Sequence, residues 1–354
     1  MDIESRLSLI REVGEEIITE ADLRTLLETK KAPIAYDGFE PSGKIHIAQG
    51  ILRSINVNKM TKAGCKFRLW VADWHAWANS KFGGDMEKIQ AAGEYMVEVW
   101  KAAGMDLGKV EFIWASEFMG KKEYWSRVMN IATNSTLQRV IRCSQIMGRS
   151  ESDTLHASQI FYPCMQAADI FELDVDIAQL GLDQRKVNVF AREMADKFRW
   201  KKPVAVHHHM LMGLSQMQTS AEGIDRKIAM KMSKSRPDSA IFMTDSSEEV
   251  SRKISKAYCP EKAVEDNPVL EYCKYIIFEK FKKVEIERPA KFGGNVSFSS
   301  YAELEGAYTS GKLHPMDLKS ATAKHVNELL EPVRKHFEKN AKAKKLLAQI
   351  NTFT

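Results

Sequence analysis

Lys231-Met232-Ser233-Lys234-Ser235 puts two ammonium groups and two small hydroxyl donors into five residues. That set suits a polyanion, above all nucleotide phosphates whose charge moves during a transfer reaction. Taken alone it is also an ordinary solvated loop. A second set is Tyr162, Gln166 and Asp169, spaced i, i+4, i+7 on one helix face among apolar neighbours. Buried polar side chains need partners, so this stripe is either a satisfied core network or the wall of a pocket for a small polar ligand. A third is Pro41-Ser42-Gly43-Lys44-Ile45-His46, a tight turn into a helix expected to open near Ile45. A helix start offers free N–H groups to phosphate, and His46 would face the same space. A fourth is Gly181-Leu182-Asp183-Gln184-Arg185-Lys186, at a strand end. There Gly181 permits close backbone approach, Asp183 can accept from a ribose hydroxyl, Gln184 can bind an amino acid's charged end, and Arg185 and Lys186 point outward.

These groups need elements to position them. Residues 4–30 carry apolar positions at helical spacing. IAYDGF, FRLWVAD, VEFIWAS, VDIAQLG and PVAVHHH read as strands, with helices between them at 45–64, 85–104, 121–147, 156–173 and 183–198. Alternating strand and helix predicts an α/β fold, a Rossmann-like doubly wound parallel sheet whose ligands sit at the C-terminal strand ends. After the lysine-serine pentamer the pattern is mostly helical, at 248–258, 267–282 and 317–349, around an irregular KFGGNVSFSS. The expected division is a catalytic domain over 1–238 and an α-helical domain over 239–354.

The 354 residues, 44% hydrophobic, suffice for a sizeable core, and no apolar run is long enough to span a bilayer. The acidic-polar start, MDIESRLSLI, lacks an export signal, so a cytoplasmic protein is expected. Cysteines 65, 143, 164, 259 and 273 form no CxxC pair. Consecutive strand residues face opposite sides, so His207, His208 and His209 are not expected to share a metal, and no metal site is expected. P-loop, dinucleotide, hydrolase and zincin motifs are absent from the sequence. The net charge of +5 equals the surplus of segment 319–345, with eight Lys/Arg against three Glu. That segment is a candidate polyanion-binding face or an ordinary solvated one.

PSGKIHIAQG, VADWHAW, YPCMQAAD, GLDQRK and KMSKS follow one another in this order. In this the chain resembles class I aminoacyl-tRNA synthetases, and within them the tyrosyl-tRNA synthetases of archaeal and eukaryotic type. The resemblance runs from about residue 30 to 340, through AYCPEKAVEDNP, RPAKFGGNVSFSSYAELE and LHPMDLK. It implies a tyrosine–tRNA ligase with ATP, as its Mg2+ complex, L-tyrosine and tRNA(Tyr) as partners, a homodimer, and anticodon recognition by the helical domain. Catalysis then rests on His46, Lys231 and Lys234. Tyr36 and Asp169 match the pair that binds the phenolic hydroxyl; Tyr162, Gln166 and Gln184 match the grip on the amino end, with Ala72 and His75 lining the pocket. ATP falls to Gly43, His46, Gln49, Gly181, Asp183, Lys231, Met232, Ser233, Lys234 and Ser235. Arg142, Arg185 and Lys186 match positions that meet the tRNA acceptor end; Phe292, His314 and Asp317 match those that receive the first anticodon base. Helix 121–147, with Trp125, Val128, Met129 and Ile131, is a candidate dimer face or simple core packing. One departure stands out: the usual His-Ile-Gly-His is here His46-Ile47-Ala48-Gln49, where Gln49 keeps a hydrogen-bond donor. The rivals are a tryptophanyl-tRNA synthetase of the same fold and a non-catalytic RNA-binding descendant.

Overall fold

The computed structural model describes residues 1–147, 154–216 and 219–353. Its principal sheet has six strands: β1 Gly14–Ile18, β2 Ile34–Phe39, β3 Lys66–Val71, β4 Val110–Trp114, β5 Ile177–Gly181 and β6 Val204–His208. The spatial order is β1-β6-β5-β2-β3-β4. The chain winds outward through β3 and β4, then returns to the other side of β2 with β5 and β6. The β2/β5 boundary is therefore the topological switch point, where the crevice above the strand ends opens.

All five expected strands form, and they pair in parallel. The sixth was not anticipated. Residues 4–30 are not continuous helix: Ile3–Val13 and Glu20–Thr29 are helical, and β1 lies between them, antiparallel to β6. The break is local chemistry. Thr19 caps the second helix, its side chain accepting from the Asp22 N–H, and β-branched Ile17 and Ile18 favour the strand. The sheet is thus mixed, with one antiparallel edge.

Other boundaries move for similar reasons. The helix expected near Ile45 opens at Ala48, as a π-turn over Ala48–Leu52 followed by Arg53–Lys62. Residues 45 and 47 are engaged elsewhere: the Ile47 N–H donates to Ile241 O at 2.8 Å and the Met243 N–H to Ile45 O at 3.0 Å. Segment 121–147 breaks after Lys122–Thr133, because Thr136 caps the new helix Leu137–Ile141. The last long helix divides into Pro315–Lys339 and Ala341–Ile350 at Asn340, whose side chain caps the second piece. The segment expected to be irregular contains Val296–Phe298, paired antiparallel with Val284–Ile286.

Ile177, Ala35, Phe67 and Val206 from the sheet share one apolar core with Ile241 and Met243 from the stretch after the lysine-serine pentamer and with Ile276, Leu330 and Phe337 from the helices beyond it. His336 to Glu98 at 2.8 Å and Lys342 to Glu94 at 2.9 Å add polar ties. Among the described residues, no helix is long and apolar enough to cross a membrane.

Candidate active site

The switch point opens into a cleft lined by all seven expected tyrosine-site residues, Tyr36, Ala72, His75, Tyr162, Gln166, Asp169 and Gln184. His46, Gln49, Gly181, Asp183, Lys231 and Met232 line it as well. Gly43 and the Ser233–Ser235 stretch stand beside it rather than in its wall. Gly43 has φ +98°, a left-handed conformation that favours glycine and turns the chain from β2 toward His46. Gly181 serves by size: a Cβ there would stand 2.6 Å from an Asp183 oxygen and 2.7 Å from Met210 sulfur.

Helix Ala157–Glu172 carries Tyr162, Gln166 and Asp169 on its buried face. Asp169 is the hub. Tyr124, which the sequence reading missed, donates to Asp169 Oδ1 at 2.8 Å. His75 Nε2 stands 2.9 Å from Asp169 Oδ2, an ion pair when the ring is protonated. Burial opposes charge on His75, but the Asp169 carboxylate overrides it and raises its pKa. Burial, then the Asp169 charge, pushes the Tyr36 phenol well above its ordinary range. At the other end, Gln166 Nε2 donates to Gln184 Oε1 at 3.0 Å. Tyr162 crosses the His75 ring edge-on at 5.0 Å, and Glu40, also missed, raises its pKa further after burial. The cleft thus has a floor for a neutral hydroxyl and a polar rim that includes a carboxylate.

The nucleotide side is cationic. Lys231 Nζ donates to Asp183 Oδ2 at 2.5 Å, and Lys234 Nζ to Ser42 Oγ at 3.0 Å. Burial, then the charges of Lys234 and Lys231, lowers the His46 pKa to about 3, so at neutral pH it is an uncharged imidazole that donates one hydrogen bond. His46 Nδ1, Gln49 Oε1, Trp70 Nε1 and His75 Nδ1 are buried without a hydrogen-bond partner. Buried polar atoms are ordinarily paired; Asp73, Asn188 and Tyr272 carry such atoms elsewhere, but most of those among the described residues face this one cleft, as expected of a site that receives a polar ligand.

In the deep wall of the cleft, where Asp37, Arg53 and His208 line it, lies a network with no motif to announce it. Arg53 Nη1 donates to Asp37 Oδ2 and Gln179 Oε1, both at 2.6 Å, and Nη2 lies 2.9 Å from His208 Nδ1. Burial pushes Asp37 up to about 7 despite Arg53 beside it, and also lowers the Arg53 pKa. Each partner alone would be an uncompensated buried charge. Arg53→Met is expected to cost about 3 kcal/mol of stability, and adding Asp37→Leu to recover most of it, as measured by urea unfolding. Equal or additive losses in the double variant would contradict this account.

The remaining expected residues lie apart from the cleft. Arg142 is exposed at the end of helix Leu137–Ile141. Arg185 does not simply point outward: its Nε donates to both Glu16 oxygens at 2.8 and 2.9 Å, with Lys186 next in the same helix. His314 caps helix Pro315–Lys339, and Asp317 lies in its first turn. Phe292 ends the one-turn helix Ala290–Phe292, but its side chain lies outside the described residues. Basic segment 319–345 spends part of its charge internally, through Lys324–Glu287, Lys335–Glu331 and Lys342–Glu94. Of the candidate interface residues, Val128 and Ile131 are buried in the chain's own core, while Met129 is 48% exposed. The three histidines have separate partners: His207 meets Glu16, His208 meets Arg53, and His209 meets Glu15 and Glu271.

The chain is similar to known proteins along most of its length. A family model described as tRNA synthetases class I (W and Y) matches residues 28–331. Tyrosine–tRNA ligase 1, cytoplasmic, of Arabidopsis thaliana is 54% identical over 99% of this chain and 89% of its own length. Tyrosyl-tRNA synthetase from Pyrococcus horikoshii, solved with L-tyrosine, superposes with a TM-score of 0.91 at 42% identity, over 98% of this chain and 100% of that one. The Leishmania major enzyme, solved with tyrosinol, superposes with a TM-score of 0.90 at 46% identity; this chain is fully covered and spans 61% of that chain's length. The protein belongs to the class I tRNA synthetases of the tryptophan and tyrosine group.

Proposed function

We propose that this protein is a tyrosine–tRNA ligase that activates L-tyrosine with ATP and transfers it to the 3′ end of tRNA(Tyr). The observation that carries the tyrosine assignment is the pairing of Tyr36 with Asp169 at the cleft floor, where the buried carboxylate already gathers the Tyr124 hydroxyl and the His75 ring. A phenolic hydroxyl can donate to this carboxylate's remaining lone pairs and accept from the Tyr36 hydroxyl; an indole presents its N–H from a bulkier ring and accepts nothing. Relatives at 45–54% identity over 99% of this chain carry the same activity in their names.

The amino acid's carboxylate attacks the α-phosphorus of ATP. One P–O bond forms, the bond to the bridging oxygen breaks, and its electron pair leaves on pyrophosphate. The carboxylate is already ionised, so this step needs position and positive charge rather than a general base. Tyr162, Gln166 and Gln184 orient the amino end. Neutral His46 donates a hydrogen bond to a phosphate oxygen without adding charge. Lys231 and Lys234 meet the negative charge that develops on pyrophosphate, with Ser233 and Ser235 as small donors. In this structure Lys231 is paired with Asp183. A ribose hydroxyl donating to Asp183 would release Lys231 toward the phosphates. Gly181 leaves room for the nucleoside, and Mg2+ travels with ATP, whose phosphates supply its ligands. In the second step the terminal tRNA hydroxyl attacks the tyrosyl carbonyl and AMP departs.

The reading extends to partners. Residues 239–354 form the anticodon-recognition domain, with Phe292, His314 and Asp317 meeting the first anticodon base. Arg142, Arg185 and Lys186 meet the acceptor end, and the lysines of 319–345 follow the phosphate backbone. The chain works as a homodimer through the outer face of helix Lys122–Thr133, and it resides in the cytoplasm, as the name of its Arabidopsis relative states for that protein. Asp317→Ala is expected to slow tRNA charging about tenfold while leaving tyrosine activation unchanged. Single-turnover charging beside pyrophosphate exchange separates the two steps.

The deciding experiment is amino-acid-dependent ATP–pyrophosphate exchange with tyrosine, tryptophan and phenylalanine. Exchange with tyrosine alone is expected. Exchange with tryptophan would keep the chemistry and overturn the Asp169 argument. No exchange from folded protein would leave an RNA-binding descendant, with Gln49 in place of the second histidine as the first suspect.

A further inference from the structure

Lys231 does not sit on a free loop. The Met232 N–H donates to Leu211 O at 2.8 Å, and the Gly213 N–H to Met230 O at 3.0 Å, so residues 211–213 form a short backbone template against which the lysine is set. Met212 is the direct antiparallel partner of Lys231. The Met212 N–H is taken by Glu271 Oε2 at 2.9 Å. Glu271 belongs to helix Pro268–Tyr272, in the helical segment far along the chain. Its other oxygen meets His209 Nε2 at 3.1 Å, while His209 Nδ1 lies 3.4 Å from Glu15 on β1. The His209 ring stacks on Tyr275, centroids 4.1 Å apart at 10°, with the Lys274 ammonium 5.1 Å from the Tyr275 ring. Glu15 is also paired with Lys227, in the helix leading into Lys231. His208 is the remaining titratable neighbour, kept neutral by burial. Although burial opposes charge, the two carboxylates raise the His209 pKa to about 9, so the clamp is ionic at neutral pH.

We propose that Glu271 and His209 are positioning residues for adenylate formation. Glu271 closes the outer edge of the 211–213 template, and His209 holds Glu271 in place, so the helical segment sets where Lys231 can meet phosphate. The proposal rests on the reading of Lys231 as a phosphate-binding group. It follows from the geometry that a template strand with an unanswered N–H and no ionic clamp holds its partner less well, and that misplacing a charged group by an ångström costs rate. The effect falls on ATP, because neither residue belongs to the tyrosine grip.

The test is pyrophosphate exchange by Glu271→Ala, Glu271→Gln and His209→Phe, with ATP affinity read independently by calorimetry. Glu271→Ala is expected to raise KM and Kd for ATP about tenfold and lower kcat, with KM for tyrosine within about twofold. Glu271→Gln should recover part of the ATP affinity, since its amide oxygen still accepts from the Met212 N–H, while its NH2 group replaces the oxygen that meets His209 and the ionic clamp is lost. His209→Phe keeps the stack on Tyr275 and should fall between. Unchanged ATP parameters in Glu271→Ala, equal rises for ATP and tyrosine, or no recovery in Glu271→Gln would each overturn the proposal. If Glu271→Ala does not fold, the other two variants decide by the same ATP-against-tyrosine split. Failure of the wild-type protein to exchange with tyrosine would instead sink the ligase reading, and the calorimetric ATP shift would still judge the clamp.

Discussion

Asp169→Ala is expected to lower kcat/KM for tyrosine about 10³-fold while leaving phenylalanine nearly untouched, so that discrimination between the two collapses. The carboxylate receives the Tyr124 hydroxyl at 2.8 Å and stands 2.9 Å from His75, on a floor shared with Tyr36. A hydrogen bond to a charged group contributes roughly 1.5–3 kcal/mol, and each buried partner left unpaired costs about 1–3 kcal/mol more. Tyrosine loses the first contribution; phenylalanine never had it. Rejection of phenylalanine by tyrosyl-tRNA synthetases is the known example of such a site, so the principle is established independently of this cleft. Asp169→Asn keeps the shape and should lose less. Exchange assays at subsaturating tyrosine and phenylalanine read both changes. An unchanged tyrosine-to-phenylalanine ratio in the alanine variant would remove Asp169 from the specificity argument.

Lys234→Ala is expected to slow tyrosyl-adenylate formation about 10²–10³-fold with little change in tyrosine affinity, the range observed when one preorganised charge-stabilising donor is removed. The residue also carries a pH signature. Burial, then the Lys81 ammonium, lowers its pKa to about 7, with Glu40 opposing. The working form is the ammonium, so kcat/KM for ATP in the wild-type protein should fall as pH rises through about 7, and Lys234→Ala should lose that limb. The sign for stability is opposite. Between about 7 and 10.5 the unfolded chain holds a proton on this lysine that the folded chain does not, so stability rises with pH across that window. Lys234→Ala should therefore be no less stable than the wild type at pH 7 while being nearly inactive. Rapid-quench adenylation and thermal unfolding over pH 6–9 check both halves. A variant that loses stability and tyrosine affinity together would show a packing role instead.

Much of the site was legible because its residues are clustered along the chain. Tyr162, Gln166 and Asp169 share a helix face by spacing alone, and Gly181 to Lys186 mark a strand end. The groups that escaped notice come from distant elements. Arg53, Asp37, Gln179 and His208 meet only once β2, β5, β6 and the helix after Ala48 are assembled. Tyr124 reaches Asp169 across a helix–helix contact, and Glu40 meets Tyr162 from the far end of β2. In the fold, β1 was hidden because Gly14–Ile18 is too short to break the helical periodicity on either side.

What the sequence determined by itself was local: strand and helix alternation, the polar helix face, the glycine turns, and lysine-serine chemistry at residues 231–235. These follow from steric and hydrogen-bonding preferences that act over a few residues. Only the tertiary structure decided the antiparallel edge, the buried Arg53 network, and the reach of Glu271 from residues 268–272 to the backbone beside Lys231. Those depend on which distant groups share a desolvated space, where an unpaired charge or N–H is costly, and no short-range pattern encodes that sharing.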